Sequence, residues 1–120
     1  MAGSRRRRLS RSAEFDRVYR EGRSHAGRHL VLYSFPREGD DDSAPRLGLS
    51  VGRKVGGAVE RNKVKRLLRE AFWASEERLP QGHDFVVVAR SEAAELAERE
   101  GLGGIKSELD ELLEKAGPKK

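Results

Sequence analysis

The chain has no cysteine. That excludes a disulfide framework, a thiolate zinc site and a thiol nucleophile. Nor does any apolar run approach the roughly 18 residues a membrane-spanning helix needs. The N-terminal Arg5-Arg6-Arg7-Arg8 run leads into Leu9-Ser10-Arg11, not into an apolar signal region. These absences fit a cytoplasmic protein with no membrane association. Histidines number three, and His25 and His29, although four apart, have no matching carboxylate or thiolate for a metal site. Gly52-Arg53-Lys54-Val55-Gly56-Gly57 has glycines and cations but not the order of a P-loop. There is no nucleophile elbow and no paired-carboxylate active site. The one acid run, Asp40-Asp41-Asp42, reads as a solvated loop. The aromatic signature of an RRM is missing, and Gly101-Leu102-Gly103-Gly104 sits among glutamates that suit a KH-type phosphate contact poorly.

What the chain has is positive charge, unevenly placed. Its 120 residues, enough for one domain with a modest core, carry a net +5. Residues 1–90 hold 20 basic and 12 acidic groups, whereas residues 91–120 hold 5 basic and 8 acidic. The field therefore belongs to the first three quarters, and its sign points to nucleic acid. It is concentrated in Glu60 to Phe72. On a helix, Val64, Leu67, Leu68, Ala71 and Phe72 form a core-facing stripe. Arg61, Asn62, Lys65, Arg66 and Arg69 form another face with almost no acid on it, where an ordinary solvated face would alternate sign to gain i,i+4 pairs.

The pattern predicts one domain over residues 12–116, after a flexible basic arm at 1–11 and before a short tail at 117–120. The arm either aids solubility or settles along a phosphate backbone. A first helix is expected over Ser12–Glu21, with Phe15, Val18 and Tyr19 as its narrow apolar stripe. Strands are expected over Leu30–Phe35, Arg46–Lys54 and Phe85–Ala89, with room for one more near residues 20–30. Pro36–Pro45 reads as a turn-rich acidic loop and Arg78–Asp84 as a loop. In the second strand Leu47, Leu49 and Val51 point one way and Gly48, Ser50 and Gly52 the other; the bare face admits either a ligand or a packed element. The basic helix is expected over Ala58–Ser75. A short helix over Ser91–Glu100 is expected to break at Gly101–Gly104, before a last helix over Ile105–Ala116. This order gives an α+β fold, a single-domain α/β sandwich of helices on a small central sheet.

Arg61-Asn62-Lys63-Val64-Lys65-Arg66-Leu67-Leu68-Arg69 resembles the RNR signature of the bacterial ribonuclease P protein component. Ser12 to Tyr19 looks like that family's first helix, Arg28 to Tyr33 like its first strand, and Leu47 to Gly56 like the strand and turn before the signature helix. Ile105 to Ala116 suits its last helix, so the resemblance covers roughly residues 6–116.

The resemblance implies a protein subunit of a ribonucleoprotein that removes the 5′ leader of precursor tRNA. In that family the RNA subunit carries the catalytic Mg²⁺ ions, and the protein contributes no catalytic residue and no metal ligand. The expected partners are the catalytic RNA and precursor tRNA, with no further protein required. It implies the signature helix in a left-handed crossover. It implies RNA contacts at Arg53, Lys54, Arg61, Asn62, Lys63, Lys65, Arg66 and Arg69. It also implies a leader-binding cleft lined by Phe15, Tyr19, Tyr33, Lys65 and Arg69. Aromatic rings stack on unpaired bases with little sequence preference, which suits leaders that vary. The same residues leave room for a plain reading, in which Phe15, Val18 and Tyr19 are a core stripe and Asn62 bonds backbone near the helix start. Lys63 stands where the family usually has Arg, which removes a bidentate phosphate fork at that position. Two other functions compete: a non-catalytic RNA-binding module or chaperone, and a self-sufficient nuclease built on Asp40-Asp41-Asp42.

Overall fold

A computed structural model describes residues 7–9, 12–37 and 44–116. The chain runs β1 (Arg7–Arg8), α1 (Ser12–Glu21), β2 (Arg23–Ala26), β3 (Leu30–Pro36), β4 (Arg46–Val51), α2 (Ala58–Ala74), β5 (His83–Ala89) and α3 (Ala93–Ala116). Short 3₁₀ turns cover Arg53–Val55 and Glu76–Arg78. The strands form one sheet in the order β1-β4-β5-β3-β2, and the α+β sandwich is as expected.

Alternation along the strands separates two faces. Leu30, Leu32, Leu47, Val51, Phe85, Val87 and Ala89 point to one side, where α2 and α3 cover them. The α2 stripe Val64, Leu67, Leu68, Ala71 and Phe72 is buried there in full. Trp73, the only tryptophan, meets Phe72 edge-on at 4.8 Å, and Phe72 meets Phe85 at 5.4 Å. Phe35, Val86 and, partly, Tyr33 and Val88 point to the other side, where α1 contributes Val18 and Phe15. The bare face of β4 belongs to this second side. A Cβ on Gly48 would stand 2.7 Å from Cζ of Phe15, so glycine there is what lets α1 lie close to the sheet.

β1, β2, β4 and β5 are mutually parallel, and β3 opposes them. Two connections therefore join parallel strands, β1–α1–β2 and β4–α2–β5. Both advance the same way across the sheet, from the β1 edge toward the β2 edge. Their helices cover opposite faces. Equal direction on opposite faces means opposite hand, so one connection is left-handed against a strong right-handed preference. The family's left-handed signature-helix crossover corresponds to β4–α2–β5, whose strands are immediate neighbours.

Several boundaries differ from expectation. Arg7–Leu9, expected within the flexible arm, join the sheet: Arg7–Arg8 pair with Arg46–Leu47, the Leu9 amide donates to the Leu47 carbonyl, and the Leu9 side chain is buried. One apolar residue at the end of a basic run was enough to add an edge strand. Residues 1–6 and 10–11 of the expected arm, Asp40-Asp41-Asp42 and the tail at 117–120 lie outside the described residues. β4 stops at Val51 instead of Lys54, because the chain turns to tuck Val55 into the core. β5 starts at His83, two residues early, because Asp84 is tied into the sheet by two arginines. In α3 only Gly101 leaves helical geometry, with φ of 64°, and Leu102–Gly104 belong to the helix. Gly104 fits there because a Cβ would meet Glu100 and Leu96 at 2.6 and 3.1 Å.

α3 is fastened to the β2–β3 turn by Glu108. Its carboxylate accepts from the His29 and Leu30 amides at 2.7 and 2.9 Å and contacts Nδ1 of His29 at 2.8 Å. His29 is therefore a packed structural residue. Among the described residues no helix is long and apolar enough to cross a membrane.

Candidate nucleic-acid interface

The turn into α2 supplies the first cations. After Gly52 the chain makes its 3₁₀ turn, which leaves Arg53 and Lys54 exposed while Val55 points inward. Gly56, at φ of 156°, then redirects the backbone, and the Glu60 carboxylate accepts the Gly57 amide at 2.7 Å to cap the helix. Glu60 thus bonds the backbone and forms no ion pair with the neighbouring cations among the described residues. Along α2, Asn62, Lys63, Arg66 and Arg69 are exposed, and Arg61 and Lys65 are half-buried.

None of Arg53, Lys54, Arg61, Lys63, Lys65, Arg66 and Arg69 forms an ion pair among the described residues. The Nε of Arg61 is buried and has no hydrogen-bond partner. α3 shows the ordinary alternative: Lys106 meets Asp110 at 2.7 Å and Arg99 meets Glu95 at 3.9 Å, each at i,i+4. Seven unpaired cations along α2 and its entry turn make a surface that gains by meeting phosphates. Lys63 points to solvent beside this face, placed for a point-charge contact.

The aromatics occupy the opposite sheet face. Tyr19 lies between two rings: its centroid is 6.2 Å from Phe15 and 4.9 Å from Tyr33, the latter edge-on at 70°. Tyr19 is 38 % exposed, and Phe15 and Tyr33 are half-buried. Val18, between them in sequence, is fully buried and takes the core role. The expected stripe thus divides into one core residue and two rings that stay accessible. Beside α1 the sheet keeps an open strip, with Val31, Ser50 and Val88 half-buried.

The structure brings Phe15, Tyr19 and Tyr33 together, but Lys65 and Arg69 do not join them. α2 packs on the far face, and neither cation touches any of the three rings. Two cations outside the signature motif do border the site. Strand register aligns Val51, Ala89 and Leu30. Arg53 and Lys54, Arg90 and Arg28 therefore leave the sheet along the same edge, all four exposed. The Arg90 guanidinium donates to the Gly27 carbonyl at 3.0 Å. Each arginine adjoins a strand end, but only long-range register places them together.

Comparison with known proteins agrees with this geometry. A family model described as Ribonuclease P matches residues 4–117. The ribonuclease P protein component of Shouchella clausii is 43% identical over 109 residues, covering 91% of this chain and 84% of that one. That of Halalkalibacterium halodurans is 44% identical over 98 residues, covering 82% and 81%. The solved Staphylococcus aureus RNase P protein superposes with a TM-score of 0.78 at 35% identity, over 91% of this chain and 94% of that one. The Thermotoga maritima RNase P protein gives 0.79 at 32% identity, over 92% and 98%. Since the likeness runs through the N-terminal strand, the aromatic strip and the basic helix together, this chain belongs to the bacterial ribonuclease P protein family.

Proposed function

We propose that this chain is the protein subunit of ribonuclease P, acting with a catalytic RNA to remove the 5′ leader of precursor tRNA in the cytoplasm. The observation that carries the reading is the division of labour between the two surfaces. Unpaired cations on α2 and its entry turn meet the folded RNA, and the accessible rings on α1 and β3 take the single-stranded leader. Arg53, Lys54, Arg61, Lys65, Arg66 and Arg69 contact RNA phosphates, with Asn62 beside them and Lys63 as an electrostatic contact. Phe15, Tyr19 and Tyr33 stack on leader bases, each stack worth about 1–3 kcal/mol. Lys65 and Arg69 serve the leader only through phosphates, since they lie apart from the rings.

The bond hydrolysed is a phosphodiester, and the mature tRNA keeps a 5′ phosphate. Mg²⁺ is held mainly by the RNA, so the protein's task is binding and positioning, not proton transfer. The test is cleavage of a 5′-labelled precursor tRNA at low Mg²⁺ by the protein, by a bacterial ribonuclease P RNA, and by the two together. Activity restored only by the combination is expected. Cleavage by the protein alone would place a nuclease site in the chain, with Asp40-Asp41-Asp42 the first residues to replace by Asn. No stimulation by the protein would leave it a binding module or chaperone.

A further inference from the structure

The lower end of the aromatic face holds a charged network. Asp84, fully buried at the start of β5, accepts from Nη1 of Arg37 at 2.6 Å and from Nε and Nη2 of Arg46 at 2.9 Å each. Arg46 therefore grips one carboxylate with two nitrogens along one edge of its fork, and the plane of its guanidinium is fixed. The third nitrogen, Nη1, is left aimed at α1, where it donates to the Glu14 carboxylate at 3.1 Å. The hydrogen bond to Asp84, with the field of Asp84 and Glu14, raises the Arg46 pKa against the lowering effect of burial. A raised pKa on a cation means its contribution is lost only on the alkaline side of arginine's ordinary titration, so Arg46 stays charged under all working conditions.

Glu14 precedes Phe15, and Phe15 rests on Gly48, two residues along β4 from Arg46. The buried cluster under α1 is Leu9, Val18, Phe35 and Val86, edged by Phe15, Tyr33 and Val88, and Arg17 lies 5.4 Å from the Phe35 ring. Glu14 is where the helix meets the charged network. The helix is short, and one end continues directly into β2. Its height over the sheet decides how far Phe15 and Tyr19 stand from Tyr33 and the open strip.

We propose that Arg46 is a positioning residue for the aromatic strip: braced on Asp84, it sets the placement of α1 through Glu14 and so the spacing of the rings that take the leader. This rests on the leader-stacking reading given above. The network touches no base and no phosphate itself, so its effect is confined to the leader and does not extend to the α2 surface.

The test uses the full chain assembled with a bacterial ribonuclease P RNA. Glu14→Gln leaves the Arg37–Asp84–Arg46 network whole. Arg46→Lys keeps the charge but cannot reach Asp84 and Glu14 together. Both are compared with Tyr33→Ala by the ratio of affinities for precursor and mature tRNA. A second readout is direct. Tyr19 and Tyr33 are the only tyrosines, so fluorotyrosine labelling gives one resonance for each ring of the edge-on pair. Glu14→Gln and Arg46→Lys are expected to move both resonances in the free protein. They should also lower the precursor-to-mature ratio by about fivefold, near the low end of one base–aromatic stack. Affinity for the RNA subunit and its salt dependence should not change. If either the resonances or the ratio stay at the parent value in both variants, the positioning role is overturned. If Tyr33→Ala alone lowers the ratio, leader stacking stands without Arg46. If Tyr33→Ala has no effect either, leader stacking falls and the positioning role falls with it.

Discussion

The two faces of the sheet are made differently. The α2/α3 face is a continuous core in which two helices bury leucines, aromatics and the tryptophan against three strands. Among the described residues the α1 face has four buried apolar residues and is otherwise closed by half-buried rings, a glycine-lined approach and one charged network. Apolar area buried on the first face supplies most of the folding free energy, because burial scales with area. The second face gives up some of that area to keep rings accessible, and it replaces packing by directional hydrogen bonds. The same helix that closes the core face also carries the cations on its outer side. The buried stripe and the unpaired cations thus share α2, while the accessible rings lie with α1 and β3 on the other side.

If this contrast is right, Phe72→Ala has the largest effect. Removing a fully buried ring that touches Trp73 and Phe85 should cost about 3–5 kcal/mol in urea unfolding. Tyr33→Ala should reverse the pattern: little change in unfolding, but a loss of about 1–3 kcal/mol in binding precursor tRNA, with mature tRNA unaffected. Equal losses for the two RNAs would break the division between the faces. Lys65→Ala and Arg69→Ala should each weaken RNA-subunit binding and flatten the plot of log affinity against log salt by about one phosphate contact. Slopes that match the parent protein in both would remove α2 from the interface. The smallest effect belongs to Lys63→Arg, expected to stay within about 0.5 kcal/mol in stability because the side chain is exposed. Any gain in RNA affinity from that change would show that a phosphate lies within reach of a fork at position 63.

Much of this is legible in the residues alone. The α2 stripe follows from its 3.6-residue period, and every member is buried where the period puts it. Leu47, Leu49 and Val51 alternate with Gly48 and Ser50 as a strand with one bare face should, and Phe15 packs onto that face at Gly48. What escaped was whatever depends on distant pairing. β1 is two residues long and has no periodicity of its own; it exists because β4 offers an edge and Leu9 finds a pocket. Asp84 read as a loop residue because an acid beside an apolar run normally marks a strand end, and nothing local announces Arg37 and Arg46 as its partners. Three glycines within Gly101–Gly104 suggest a helix breaker, yet only Gly101 breaks the helix, and Gly104 sits where a Cβ would meet Glu100 and Leu96. Lys65 and Arg69 were assigned to both surfaces; the fold separates those surfaces by the thickness of the sheet.

The placement of Trp73 has a practical consequence. The only indole is buried under α2 and α3, and both phenols lie with α1 on the opposite side of the sheet. The protein's intrinsic fluorescence is thereby sorted by face. Tryptophan emission reports on whether the core is intact, and tyrosine emission reports on whether the strip is occupied. Quenching of the tyrosine signal by a short single-stranded RNA, with the tryptophan signal unmoved, would register occupation of the strip in a protein that carries no added label.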